Sequence, residues 1–170
     1  MRMLLEHIEL FTNSIEELEV NIHQILSPPS YTTGSDTFTG SNLLTIPGVG
    51  EKTVAAVLSY LGNSGQSFET STKAVGYIGF FPRIFESGQT KRENRICKRG
   101  PKLLRAALYM AAVASLKHNK ELQTLYHRKL SQGKTEKQAL ICVAKKLLQI
   151  MLAMLKSGEP YNPALVFVPN

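Results

Sequence analysis

Thr135-Glu136-Lys137-Gln138-Ala139-Leu140-Ile141-Cys142-Val143-Ala144, running on through Lys145-Lys146-Leu147-Leu148-Gln149-Ile150-Met151-Leu152-Ala153-Met154-Leu155 to Gly158, is the stretch that decides the fold. Thr135 with Gln138 three residues on forms a capping box, in which each side-chain oxygen accepts a hydrogen bond from the other residue's backbone amide. Leu140, Val143, Ala144, Leu147, Leu148, Met151, Leu152 and Leu155 then keep the i, i+3, i+4 rhythm for about four turns before Gly158. A helix this apolar along one face has to be covered by other helices.

Those helices are legible upstream. Asn119 to Ser131 places Leu122, Leu125, Tyr126 and Leu130 inward and ends at Gly133. Pro101 stands where a helix begins, because its missing amide proton costs nothing in a first turn; Leu103, Leu104, Ala107, Leu108, Ala111 and Ala112 are its expected buried stripe. A short helix is predicted from Thr70 or Ser71 to Tyr77, with either hydroxyl as cap. Another runs from Glu51 to Leu61, with Val54, Val57, Leu58 and Leu61 on one face, and closes at Gly62. At the N-terminus, Leu4, Ile8, Phe11, Ile15, Leu18, Ile22 and Ile25 alternate spacings of four and three, which is a heptad seam. That helix either packs on the chain's own core or pairs with another segment or copy, and the favoured expectation is homo-oligomer formation through residues 3–26. The expected fold is therefore mostly α. A coiled-coil-type helix occupies 1–27, a Ser-, Thr-, Gly- and Pro-containing linker 28–41, a helical domain 42–158, and an extended tail 159–170 lies against the bundle.

The 170 residues are 43% hydrophobic and 19% charged, which is ordinary globular composition. Twenty bases against thirteen acids leave +7, favouring a polyanionic partner. The charge is unevenly spread: Arg2 faces Glu6, Glu9, Glu16, Glu17 and Glu19 in residues 1–30, a net −4. Residues 83–105 carry Arg83, Lys91, Arg92, Arg95, Lys98, Arg99, Lys102 and Arg105 against Glu86 and Glu93, a net +6 within a stretch lacking periodicity. It reads as a basic loop with room for an extended hairpin, serving either as a solvated face or as a phosphate contact. Cys97 and Cys142 provide no disulfide framework and no paired metal-ligand spacing, and they suit a reducing, cytoplasmic compartment. No uninterrupted apolar run reaches the roughly eighteen residues of a membrane span, and the acidic start is wrong for a signal peptide, so no membrane partner is expected.

Leu44-Thr45-Ile46-Pro47-Gly48-Val49-Gly50-Glu51-Lys52-Thr53 has the layout of a helix-hairpin-helix. Gly48 and Gly50 would let backbone amides at the start of the second helix approach a phosphate, where the helix dipole favours an anion, and Lys52 adds a charge beside it. Such contacts position a duplex without reading its sequence. Ser87-Gly88 precedes the basic run. A serine hydroxyl attacks a phosphodiester only with a base for its proton and cations around the developing charge, and by itself Ser-Gly in a loop is usually a turn. His7, His23, His118 and His127 are scattered, and Asp36 is the single aspartate, so no metal site and no two-metal carboxylate cluster is expected in this chain.

In order along the chain, Leu43 to Gly50, then Ala74-Val75-Gly76-Tyr77-Ile78-Gly79-Phe80, Ser87-Gly88, Arg95-Ile96-Cys97-Lys98-Arg99-Gly100 and Leu104-Arg105-Ala106-Ala107-Leu108 resemble the C-terminal transposase domain of the bridge-RNA-guided insertion-sequence transposases and the related pilin-gene invertases. The resemblance spans about residues 42–156. It implies cutting and rejoining of DNA at sites chosen by a structured guide RNA, with Ser87 as candidate nucleophile. Gly48, Gly50, Lys52, Lys91, Arg92, Arg95, Lys98, Arg99, Lys102 and Arg105 are the candidate nucleic-acid contacts. It also implies a ribonuclease-H-like domain bearing the catalytic carboxylates and a divalent metal such as Mg, joined through a coiled coil that the heptad helix resembles. This sequence has no counterpart of that acidic domain, so the expectation is a piece of a longer enzyme or a chain completed by another. Gly100-Pro101 stands where the family more usually has Gly-Asn. Without chemistry, the alternative is a helix-hairpin-helix binding module, and beyond that an oligomeric scaffold.

Overall fold

The computed structural model describes residues 2–26, 40–81, 86–87, 90–91, 96–97 and 99–166. Its elements are α1 (Arg2–Leu26), a 3-10 turn (Ser41–Thr45), α2 (Glu51–Leu61), α3 (Ser71–Ile78), β1 (Glu86–Ser87), β2 (Thr90–Lys91), α4 (Lys102–His118), α5 (Lys120–Ser131), α6 (Glu136–Ser157) and a second 3-10 turn (Pro163–Leu165). The fold is mostly α. Most of the expected linker, 28–39, and the last residues of the tail, 167–170, lie outside the described residues.

The capping box forms: Gln138 N donates to Thr135 Oγ1 and Thr135 N donates to Gln138 Oε1. Helix α6 is then the axis of the core, with Val143, Ala144, Leu147, Leu148, Met151, Leu152 and Leu155 buried against the first 3-10 turn, α3, α4 and α5. Each such leucine or methionine contributes about 1.5–3 kcal/mol by leaving water. By length and composition α6 could cross a membrane, although Lys145 and Lys146 interrupt its apolar run. Half of that window is buried inside the protein, which makes α6 a core helix here.

Helix α4 departs from expectation at Leu103, at Ala107, which is only half-buried, and at Ser115, which joins the buried stripe. Leu104, Leu108, Ala111, Ala112 and Ser115 form the buried stripe, whereas Leu103 is 66% exposed. At about 100° per residue, position 103 falls off the edge of a stripe centred on 104 and 108. Thr70 caps α3 through its hydroxyl, and Asn119 caps α5 through its Oδ1.

Of the heptad seam of α1 only Ile22 packs on the chain's own core, helped by Leu26, which lies off the seam. Ile22 is half-buried and Leu26 is buried, while Leu4, Ile8, Phe11, Ile15, Leu18 and Ile25 are 55–68% exposed. Two surface pairs tether this end to α2: Glu19 with Lys52 and His23 Nδ1 with Glu51 Oε1. Exposed pairs of this kind contribute at most about 1 kcal/mol each, so Leu26 holds α1 in place more than they do. The described part of the tail packs on the bundle through buried Val166 and half-buried Tyr161, and it is not extended throughout, because Pro163–Leu165 winds into the second 3-10 turn. Tyr161 Oη accepts from Asn119 Nδ2 at 2.8 Å, and burial of the ring pushes its hydroxyl above the usual tyrosine range.

Candidate nucleic-acid interface

The turn between the first 3-10 element and α2 is built on two glycines that do different things. Gly48 has φ +90°, a backbone that side chains avoid, and a Cβ built on it would lie 2.5 Å from Ser115 Cα and 2.6 Å from Ser115 N. Its bare backbone lets the turn press against α4, so the missing side chain serves internal packing. Gly50, the N-cap of α2, has nothing within 4 Å of a built Cβ. Val49 N donates to Ile46 O, and Thr53 N and Val54 N both donate to the Gly50 carbonyl, so the amides of Glu51 and Lys52 are the ones at the start of α2 with no acceptor among the described contacts. Lys52 sits beside them, paired with Glu19 yet 77% exposed along its side chain, so it stays within reach of a ligand.

Both ends of the basic loop are fixed by backbone contact. Gly79 (φ +82°) closes α3, where its amide bonds the Val75 and Gly76 carbonyls, and a Cβ there would overlap the Cys97 carbonyl oxygen at 1.9 Å. A Cβ on Gly100 would lie 2.0 Å from the Tyr77 carbonyl oxygen. Cys97 N donates to Phe81 O at 2.8 Å, joining the two arms where the loop begins and ends. Arg105, reaching back from α4, donates from Nη1 to Ile78 O at 3.1 Å and to Gly100 O. Part of its guanidinium is therefore engaged in clamping the loop base, a use that its position in a charge run does not reveal.

Within the loop, β1 and β2 pair antiparallel, Glu86 with Lys91 and Ser87 with Thr90. This is the expected hairpin, two residues to a strand. Ser87 lies in it one residue before Gly88, and the side chains of Ser87 and Lys91, like residues Gly88, Arg92, Arg95 and Lys98, fall outside the described residues. Arg99 is exposed at the loop's return, and Lys102 is exposed on the first turn of α4.

A second cationic region follows the loop. Residues 106–170 hold Lys117, Lys120, Arg128, Lys129, Lys134, Lys137, Lys145, Lys146 and Lys156 against Glu121, Glu136 and Glu159, so they match the loop's +6. Helical spacing disperses these bases along the sequence, which hides them from a search for charge runs. Folding brings some together: burial first, and then the nearby Arg128 charge, hold the Lys146 ammonium below the usual lysine range. Lys102 and Arg105 of α4 meet Lys137 of α6 around one open cleft of about 490 Å³. Among the described residues no three His, Cys, Asp or Glu side chains converge as a metal site requires.

Residues 40–127, just over half of the chain, match the family model described as the transposase IS116/IS110/IS902 family. The chain belongs to that family. It is 33% identical over 159 residues to the pilin gene-inverting proteins of Moraxella lacunata and Moraxella bovis, covering 92% of this chain and 48% of each of those proteins. It is 32% identical over 120 residues to the transposase for insertion sequence element IS1111A of Coxiella burnetii, covering 69% of this chain and 33% of that protein. The chain thus spans about half the length of the pilin gene-inverting proteins it matches. The matched region contains the glycine turn, the clamped loop and α4, while α6 lies beyond the family model's boundary.

Proposed function

We propose that residues 42–158 form the nucleic-acid-binding C-terminal domain of a transposase, acting on DNA in the cytoplasm, in company with the nucleoid, and accepting a structured guide RNA as a second polyanion. The glycine turn acts as a helix-hairpin-helix contact to backbone phosphate, and the basic loop grips a second stretch of strand. Ser87 is the nucleophile: its Oγ bonds to phosphorus, the bond from phosphorus to the departing strand oxygen breaks, and the hydroxyl proton passes to a base supplied by the acidic half of the enzyme. The clamped loop base carries this reading. Three backbone contacts and Arg105 hold the two ends of the segment whose sequence carries the bases, so the chain enters and leaves it at defined points beside α4.

Helix α1, about 37 Å long at 1.5 Å per residue, serves as the coiled-coil connector, and its uncovered seam pairs with a second copy. Replacing Phe11 and Ile15 with glutamate should convert a concentration-dependent dimer to monomer in sedimentation while leaving the melting temperature of dilute, monomeric protein unchanged, because both side chains are exposed in the single chain. A wild-type chain that stays monomeric at about 100 μM, a concentration at which three heptads should associate, overturns the pairing.

Duplex binding by the 170-residue chain tests the main proposal. If about five bases neutralise phosphates, log affinity should fall against log salt with a slope near −4.5, about 0.9 per contact. A flat response favours the oligomeric scaffold. A steep slope joined to unaltered strand transfer in the Ser87→Ala enzyme favours the binding module without chemistry.

A further inference from the structure

The cleft where α4 faces α6 has a floor and a rim of different chemistry. Ala106, Tyr109 and Met110 of α4 and Ile141 of α6 give it an apolar surface, with Met110 64% exposed to solvent. Lys102 and Arg105 stand on the α4 side and Lys137 on the α6 side, and no carboxylate lines it among the described residues. At about 490 Å³ it falls within the size range of sites that enclose one ring system with its substituents. An apolar protein helix would satisfy the floor but leave cations on both rims facing it. A double helix would satisfy the cations, but it keeps the faces of its bases inside the stack.

We infer that this cleft receives a single unpaired nucleotide, its base against Tyr109 and Met110 and its flanking phosphates at Lys102 and Lys137. The inference rests on the nucleic-acid reading above and specifies the form of strand that the α4–α6 face takes. Aromatic stacking accepts any base, because every base has a π-face, so the site tells unpaired from paired strand without selecting sequence. An enzyme that exchanges strands has to hold them apart, and a base-accepting cleft beside the loop base does that without further chemistry.

Fluorescence anisotropy with the 170-residue chain provides the test. The probes are a 20-base-pair duplex, the same duplex with one central unpaired 2-aminopurine, and a third with an abasic residue at that position. The bulged base should bind about tenfold tighter than the plain duplex, within the range of one stacking contact, and its emission should fall on binding. The abasic probe should lose that preference, since it keeps the kink and lacks the ring. Ala106→Trp fills the cleft from an exposed position, so it should abolish the preference while plain-duplex affinity and melting temperature stay as in the wild type. Equal affinity for all three probes with unchanged emission overturns the inference while leaving the duplex-binding reading intact; such a cleft would be covered by another protein surface. A preference that survives Ala106→Trp, or that the abasic probe retains, also overturns it. Failure to bind any probe overturns the function proposed above and this site with it.

Discussion

Gly48→Ala should destabilise the protein by about 2–5 kcal/mol and lower its melting temperature by about 10 °C, whereas Gly50→Ala should change stability by less than about 1 kcal/mol. The first figure has two sources. An alanine held at φ +90° pays about 1–2 kcal/mol for the left-handed backbone, and its Cβ would sit 2.5 Å from the backbone of Ser115, which forces the turn off α4 at a further 1–3 kcal/mol or so. Gly50 has neither constraint, with φ −104° and open space where a side chain would project. Thermal melts of the two variants check this, and equal losses would show that the turn does not rest on α4 as described. The contrast also decides how phosphate contact can be probed. A Gly48 variant that loses DNA binding reports on folding, while Gly50→Val blocks approach to the α2 amides and leaves the packed side of the turn alone.

On the proposed mechanism, Ser87→Ala, introduced into the complete enzyme with its acidic half present, should abolish the covalent protein–DNA adduct and reduce strand transfer by at least about 10⁴-fold, because it removes the oxygen that attacks phosphorus. DNA affinity should stay within about twofold of wild type. One hydroxyl on a two-residue strand contributes little beside the cations that follow it, and backbone pairing with Thr90 does not depend on the side chain. Denaturing gels with end-labelled DNA measure the adduct, and filter binding measures the affinity. An adduct that persists in Ser87→Ala removes this serine from the chemistry, while loss of affinity and adduct together would make it a structural residue of the loop.

Much of the fold was legible because it obeys local rules. The capping box at Thr135, the apolar rhythm of α6, the hydroxyl cap at Thr70 and the proline before α4 each act over a few residues, so spacing alone reveals them. Leu103 escaped because the stripe of a helix can be centred on either of two adjacent leucines until its partner is known. The candidate site was less legible, since its decisive contacts are long-range. Gly48 reads naturally as a phosphate contact until Ser115 is found against it, and Arg105 reads as one more base in a run until its bonds to Ile78 and Gly100 are seen. Gly79 and Gly100 carry no sign in sequence that each presses on the backbone of the other's segment. The cations of α4 and α6 become neighbours only when the helices pack, so Lys137 could not be grouped with Lys102 beforehand.

Asn42 Nδ2 donates to Gly158 O at 2.6 Å, and Tyr161 N donates to Thr45 Oγ1 at 2.9 Å, so the two ends of the 42–161 body lie side by side. A body whose two ends meet behaves as a cassette: it can be spliced into a host protein on short joints, or rewired by fusing those ends and opening a surface turn elsewhere, without disturbing the helices between.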